Sequence, residues 1–276
     1  MNKLSTAKRV AVVAALVEGN SIRATSRMTD VSKPTILKLL ADLGTACAEY
    51  HDTRVTELRC QRIQCDEIWS FVGAKAKNVK AEKKAVWGDL WTWTAIDADT
   101  KLIVSYLVGK RITANAWKMM WDLSGRIINR PQITTDGLPW YGWAIEEAFP
   151  EVDYAKLTKI YANEPTGRYS PPVFVGERTE VIKGNPNPKH ISTSYVERQN
   201  LTMRMSMRRF TRLTNGFSKK GQNHAHAVAL HFMHYNFARI HKTLRITPAM
   251  AAGISDHVWS IEELVGLLDA ADKKAA

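Results

Sequence analysis

Leu58-Arg59-Cys60-Gln61-Arg62-Ile63-Gln64-Cys65-Asp66-Glu67-Ile68-Trp69-Ser70-Phe71-Val72 is the stretch on which the reading of the fold turns. Its side chains alternate as a strand requires, with Ile63, Cys65 and Glu67 on one side and Gln64 and Asp66 on the other. Lys75 to Lys84 carries five lysines and reads as an exposed basic loop. Leu90 to Ile96 and Leu102 to Val108 are two further strands, and the turn residues Asp97-Ala98-Asp99-Thr100 between them predict a hairpin. Thr113 to Ile127 is an amphipathic helix with Ala116, Met119, Met120, Leu123 and Ile127 on its apolar side. Gln132 to Thr135 is a fourth strand, Tyr141 to Phe149 a helix stopped by Pro150, and Tyr154 to Tyr161 a fifth strand.

The order β-β-β-α-β-α-β followed by helices predicts a mixed α/β domain of the ribonuclease H-like kind, with a five-stranded mixed sheet and flanking helices. Ala162 to His190 holds five of the ten prolines together with Gly167, Gly176 and Gly184, and is predicted to be an irregular insertion at about 162–190. Helices resume at Thr193 to Phe210 and Gln222 to Ile240, and an acidic helix with a tail follows Ser255.

Ahead of the strands, residues 1–55 read as all-helical. A helix over Thr6 to Val17 ends at Glu18-Gly19-Asn20. Ser21 caps a short second helix through Met28, and Ser32 caps a third with Pro34 in its first turn. Two short helices joined by a tight turn make a small helix-turn-helix domain, in which Ser32, Lys33 and Thr35 would reach base edges and Lys38 the backbone. A plain three-helix bundle is the alternative. The expected division is therefore 1–55 for DNA binding, 56–250 for the α/β domain and 251–276 for the C-terminal helix and tail. Lys3, Lys8 and Arg9 before the apolar run Val10 to Val17 imitate a signal peptide. The run continues a helical pattern and is followed at once by Glu18, so it is read as part of the mature fold. No segment reaches the ~18 apolar residues of a membrane span.

The 276 residues carry a net charge of +12, which favours a polyanionic partner. Between Arg198 and Ser255 there are ten Lys or Arg residues and no Asp or Glu. Arg198, Asn200, Arg204, Arg208, Arg209, Arg212, Lys219 and Lys220 form the expected DNA-contacting surface. Cys47, Cys60 and Cys65 cannot all pair and lack metal-ligand spacing, which fits a reducing cytoplasm.

Against that basic background stand three acids in separate settings: Asp66 on the first strand, Asp136 at the end of the fourth, and Glu197 in the helix-like run Tyr195-Val196-Glu197-Arg198-Gln199-Asn200. In the predicted topology the two strands are neighbours, and the helix crosses them. Three convergent carboxylates suit a pair of Mg²⁺ ions, with Mn²⁺ as substitute, and two such ions about 3.5–4 Å apart activate the attacking oxygen and stabilise the leaving one. Arg204, two helical turns after Glu197, shares its face, as does Asn200.

These blocks resemble the bacterial insertion-sequence transposases with a DDE triad, of the type named after insertion sequence one. The matching residues are Asp66 through Lys75, Ala95-Ile96-Asp97, Thr135 through Tyr141, Tyr195 through Arg204, and Gly216-Phe217-Ser218-Lys219. The resemblance spans roughly residues 60 to 235. It implies metal-binding roles for Asp66, Asp136 and Glu197, a catalytic basic residue at Arg204, and a helix-turn-helix that binds inverted element ends. It also implies cleavage at those ends followed by strand transfer into target DNA, by a homodimer or larger assembly in the bacterial nucleoid. Two departures stand out: no Cys-rich module precedes the helices, and the 162–190 stretch is long. That stretch also contains Glu177 and Glu180, rivals for the third carboxylate. A DNA-binding transposition regulator and a structure-specific nuclease of the same fold are the competing readings.

Two other signals have two readings each. His224, His226, His231, His234 and His241 imitate a zinc cluster, but no Cys or carboxylate nearby closes the ligand set, so they read as buried or DNA-facing imidazoles. Trp140, Tyr141 and Trp143 could stack on an unpaired base or pack beneath the sheet.

Overall fold

The computed structural model describes residues 4–162, 172–211 and 215–275; Gly167 and Arg212 lie outside the described residues. Three helices open the chain: α1 (Thr6–Val17), α2 (Ile22–Thr29) and α3 (Lys33–Arg54). Each begins at a serine whose hydroxyl accepts a backbone N–H of the first turn: Ser5 from Lys8, Ser21 from Ala24 and Ser32 from Thr35. Asp30, at φ 53°, turns α2 into α3.

The strands are β1 (Arg62–Val72), β2 (Gly88–Asp97), β3 (Ile103–Gly109), β4 (Gln132–Thr135), β5 (Asp153–Tyr161) and β6 (Phe174–Lys183). They form one sheet in the order β3-β2-β1-β4-β5-β6. β4 runs parallel to β1 and to β5, and the other neighbours are antiparallel. Helix α4 (Thr113–Arg126) makes the crossover from β3 to β4, and α5 (Pro139–Ala148) the crossover from β4 to β5; the two pack on each other. Helix α6 (Ser194–Ser206) lies on β1 and β2. Helix α7 (Gly221–Met233) packs on α3 and β3 and ends in a π-helical turn over His234–Ala238. A short α8 (Pro248–Ala251) and α9 (Ile261–Ala275) complete the chain, with α9 against α1 and α3.

The sheet is mixed and flanked by helices, consistent with a ribonuclease H-like arrangement. It has six strands rather than the expected five. The sixth, β6, falls within the stretch predicted to be irregular. Every β6 residue is at least partly exposed, so the strand carries no one-sided apolar alternation to betray it. Its ladder with β5 holds it instead.

The core is continuous from α1 and α3 through the sheet. Ile63, Cys65 and Ile68 of β1 and Ile133 of β4 are at most 1% exposed, as a central parallel pair covered on both faces should be. Helices α3 and α7 touch at Gly44, where an added Cβ would lie 2.5 Å from the Cβ of His226. Near the end of α3, His51 Nε2 is 3.2 Å from the carbonyl of Ile103. The buried Arg126 guanidinium donates to the carbonyls of His51 and Val55 and to Asp52. Among the described residues, no helix is long and apolar enough to cross a membrane.

Candidate metal centre

Pairing between β1 and β4 stops at Cys65 opposite Thr135, whereas β1 continues beside β2 as far as Val72. From Asp66 to Phe71, β1 therefore has no strand neighbour on its β4 side, which is bridged again only at Val72 by Ser218. The chain leaves β4 at Asp136-Gly137, and the crevice beyond the carboxyl end of a parallel strand is where open α/β sheets place their chemistry. Gly137 permits the turn, since a Cβ there would stand 2.8 Å from Thr158 Oγ1 on β5.

Three carboxylates fill this gap. Asp66, Glu67 and Asp136 each present an oxygen, all within 4.8 Å of one another. Asp66 Oδ1 accepts the backbone N–H of Glu67 at 2.8 Å, and its Oδ2 accepts Asn200 Nδ2 from α6 at 2.8 Å. Asp136 Oδ1 accepts the N–H of Leu138 at 3.0 Å. The Glu67 side chain is 1% exposed; it is paired with Arg111, whose Nε donates to Oε1 at 2.6 Å, and it accepts the Tyr141 hydroxyl at 3.2 Å. Arg111 also stands 4.0 Å from Asp136 and lies over the Trp91 ring.

Helix α6 is fixed to this end of the sheet from its first turn. Gln64 Oε1, on the same side of β1 as Asp66, accepts the backbone N–H groups of Tyr195 and Val196. Glu197 sits in that first turn. Its Oε1 accepts the Thr193 hydroxyl at 2.7 Å and its Oε2 accepts Lys159 Nζ from β5 at 2.5 Å.

The electrostatics of the group are one-sided. Burial, and then the charges of Glu67, Asp136 and Glu197, hold the Asp66 carboxyl well above its ordinary range. Burial and Asp136 push Glu67 up to about 7 against the opposing pull of Arg111 and Tyr141. Asp136 is raised by burial and by Glu197. Carboxylates crowded this way favour either a proton or a cation between them. The donors are all hard oxygens, and the buried Asn200 Oδ1 has no hydrogen-bond partner, so the set fits Mg²⁺ or Mn²⁺.

The structure thus brings Asp66 and Asp136 together and adds Glu67, which the alternation of β1 had placed on the other side of the strand. Glu197 lies outside the 4.8 Å group, yet near enough for its charge to raise both aspartates. The signal for Glu67 was available: two consecutive acids inside an otherwise apolar strand are hard to bury without a partner or a purpose. Arg111 and Lys159 carried no such signal, since their positions depend on β3–α4 and β5 geometry. Glu177 and Glu180 lie on the outer strand β6, exposed and opposite Lys159 and Lys156.

The remaining site candidates are dispersed. Arg204 is part-buried on α6, Arg198 and Arg208 are exposed, and Lys219 and Lys220 precede α7 and are exposed. Arg209 donates to Ser218 Oγ at 2.8 Å, and burial pushes its guanidinium down to about 10. Ser218 also bonds His224, which stands 3.3 Å from Ser70, and burial with the nearby Arg209 charge lowers His224 to about 3. The hydroxyls of Ser32 and Thr35 bond each other at 2.8 Å, Lys33 is exposed, and Lys38 pairs with Asp42 at 2.6 Å. Among the described residues the histidines form no metal-ligand group. Tyr141 is buried against Trp93 in the core, whereas Trp143 is 61% exposed.

No protein-family profile and no curated protein matches the chain. Among solved structures, the chain is similar to the crystal structure of the Mos1 strand transfer complex at a TM-score of 0.23 and 12% identity. The match covers 55% of this chain and 59% of that one, so it spans less than two thirds of the solved chain's length.

Proposed function

We propose that the chain is a DDE transposase that cuts DNA at element ends and joins the freed end to target DNA. The observation that carries this reading is the convergence of Asp66, Glu67 and Asp136 where β4 ends, with the charge of Glu197 bearing on both aspartates. In this reading Asp66, Asp136 and Glu197 hold the metal, and Glu67 is a fourth carboxylate beside them. Bound there, Mg²⁺ lowers the pKa of water and stabilises the charge that develops on a phosphodiester.

The chain's own residues do the rest. Asn200 fixes the rotation of the Asp66 carboxylate through its 2.8 Å bond. Arg111 holds Glu67 and faces Asp136, so it sets how much negative charge the cluster presents. Arg204 and Arg198 supply cations for the phosphates flanking the cut, Lys159 neutralises Glu197, and Ser32, Lys33, Thr35 and Lys38 contact the element end. Both displacements proceed at the same carboxylates and need no Ser, Cys or Tyr nucleophile. Paired ends call for a homodimer or larger assembly on DNA.

The test is nicking of supercoiled plasmid by the purified chain in Mn²⁺, beside Asp136→Asn prepared identically. Nicking by the wild type alone, followed by joined products with element-end DNA, supports the reading. Nicking without joining points to a nuclease. Equal nicking by both proteins removes Asp136 from the site.

A further inference from the structure

A cleft of about 680 Å³ opens between the α1–α2 turn, the first turns of α3, the segment after α6, and α7. No carboxylate-site residue lines it. Arg23, Lys33, Arg208, Arg209 and Lys219 do, and among the described residues no Asp or Glu joins them. Arg209 is engaged by Ser218, whereas Arg23, Lys33, Arg208 and Lys219 take part in none of the ion pairs of the described residues. The first residues of two helices, Ile22 of α2 and Lys33 of α3, also line the cleft, so both helix N-termini add partial positive charge to it.

The walls are of a different kind. Leu37, Leu40 and Phe217 make an apolar surface, and Phe217 is braced from behind by Phe71 at 5.0 Å. His231 lines the cleft from α7; it is 5% exposed, and its Nε2 has no hydrogen-bond partner. A site for inorganic phosphate alone has no use for that apolar surface, and a duplex is too wide to enter a cleft of this size. A single nucleotide has both halves: an anion for the rim and a flat, largely apolar ring with a polar edge for the wall.

We propose that this cleft binds one unpaired nucleotide of a DNA strand, with its phosphate among Arg23, Lys33, Arg208 and Lys219, its base against Leu37, Leu40 and Phe217, and His231 Nε2 facing the base edge. The proposal rests on the DNA-binding part of the function given above, not on its chemistry.

The experiment uses the full chain in EDTA. Its probes are a duplex with a one-nucleotide 2-aminopurine flap, the blunt duplex of the same sequence, 2-aminopurine deoxynucleoside monophosphate, and inorganic phosphate. The flap is expected to bind about tenfold tighter than the blunt duplex, the size of one base-stacking contact, with a change in 2-aminopurine emission. Leu37→Trp, which fills the cleft, and Arg208→Glu, on an exposed side chain that leaves folding intact, should each bring flap affinity down to the blunt level. Equal affinity for flap and blunt duplex in the wild type overturns the proposal, as does a preference that survives both variants. If the blunt duplex fails to bind at all, the DNA-binding function falls. The monophosphate then decides the cleft: binding lost in Leu37→Trp upholds it for a free nucleotide, while no binding, or binding matched by phosphate, overturns it.

Discussion

Lys159 Nζ stands 2.5 Å from Glu197 Oε2, tying β5 to the first turn of α6 across the gap where β4 ends. The pair is partly exposed, so it contributes little to folding. Its effect falls on the cluster, because Lys159 neutralises the carboxylate whose charge raises Asp66 and Asp136. Lys159→Met should tighten Mn²⁺ binding by about fivefold, equivalent to ~1 kcal/mol, read by titration of intrinsic tryptophan fluorescence. Unchanged affinity would place Glu197 outside the metal site.

Asp66→Asn, Asp136→Asn and Glu197→Gln keep shape and remove charge. Each is expected to reduce strand cleavage by about 10³-fold or more while leaving the affinity for element-end DNA within about twofold. Cleavage and gel-shift assays on the same preparations check both halves. A variant that still cleaves removes its residue from the triad.

Glu67 makes a pH prediction. An acid whose pKa is raised on folding keeps its proton longer in the folded state, so it favours folding fully below its unfolded value of about 4.3. That advantage is lost as the pH rises through its folded value of about 7. Without divalent metal, Glu67→Gln should therefore match the wild type near pH 4 and exceed it at pH 8 by about 1–3 kcal/mol. Thermal melts at both pH values decide it, and a variant equally destabilised at both would refute it. Added Mg²⁺ should stabilise the wild type more at pH 8 than at pH 5.

His224 and His231 act in the opposite direction. Burial holds both neutral down to about pH 3, so unfolding takes up protons below about 6.5. Stability from each should fall by about 1.4 kcal/mol per pH unit below that point. His231→Phe should flatten the acid limb of the melting profile relative to the wild type between pH 6.5 and 4.5. An unchanged limb would show that His231 does not stay neutral.

Gly44 has His226 backbone and Cβ atoms within 2.7 Å of where a Cβ would sit. Gly44→Ala must push α3 from α7 and is expected to cost about 1–3 kcal/mol in denaturant unfolding. A neutral result would mean that the two helices separate easily.

Much of this was legible in sequence because the central elements bury one side or both. Thr6–Val17 and Gln132–Thr135 are where apolar spacing and capping residues place them, and Asp66 and Asp136 meet because β1 and β4 are neighbours. β6 escaped because an exposed outer strand has no buried face to pattern. Glu67 escaped for a related reason. Alternation assigns each side chain a face but says nothing of where the neighbouring strand stops, and β4 ends just before this residue, where both consecutive acids come within reach of Asp136.

Helix α3 has 22 residues and thus spans about 33 Å. Its start holds the capping Ser32 and Thr35, its middle is locked to α7 at Gly44, and its far end is tied to β3 and α4 through His51 and Arg126. A stiff beam, not a tether, therefore joins the proposed grip on DNA to the carboxylates. Under that function the chain works as a gauge: the grip and the cut keep a fixed spacing set by the fold. Lengthening the α2–α3 turn should not shift it, whereas a residue inserted within α3 should turn the grip by about 100° about the helix axis and lose the cut.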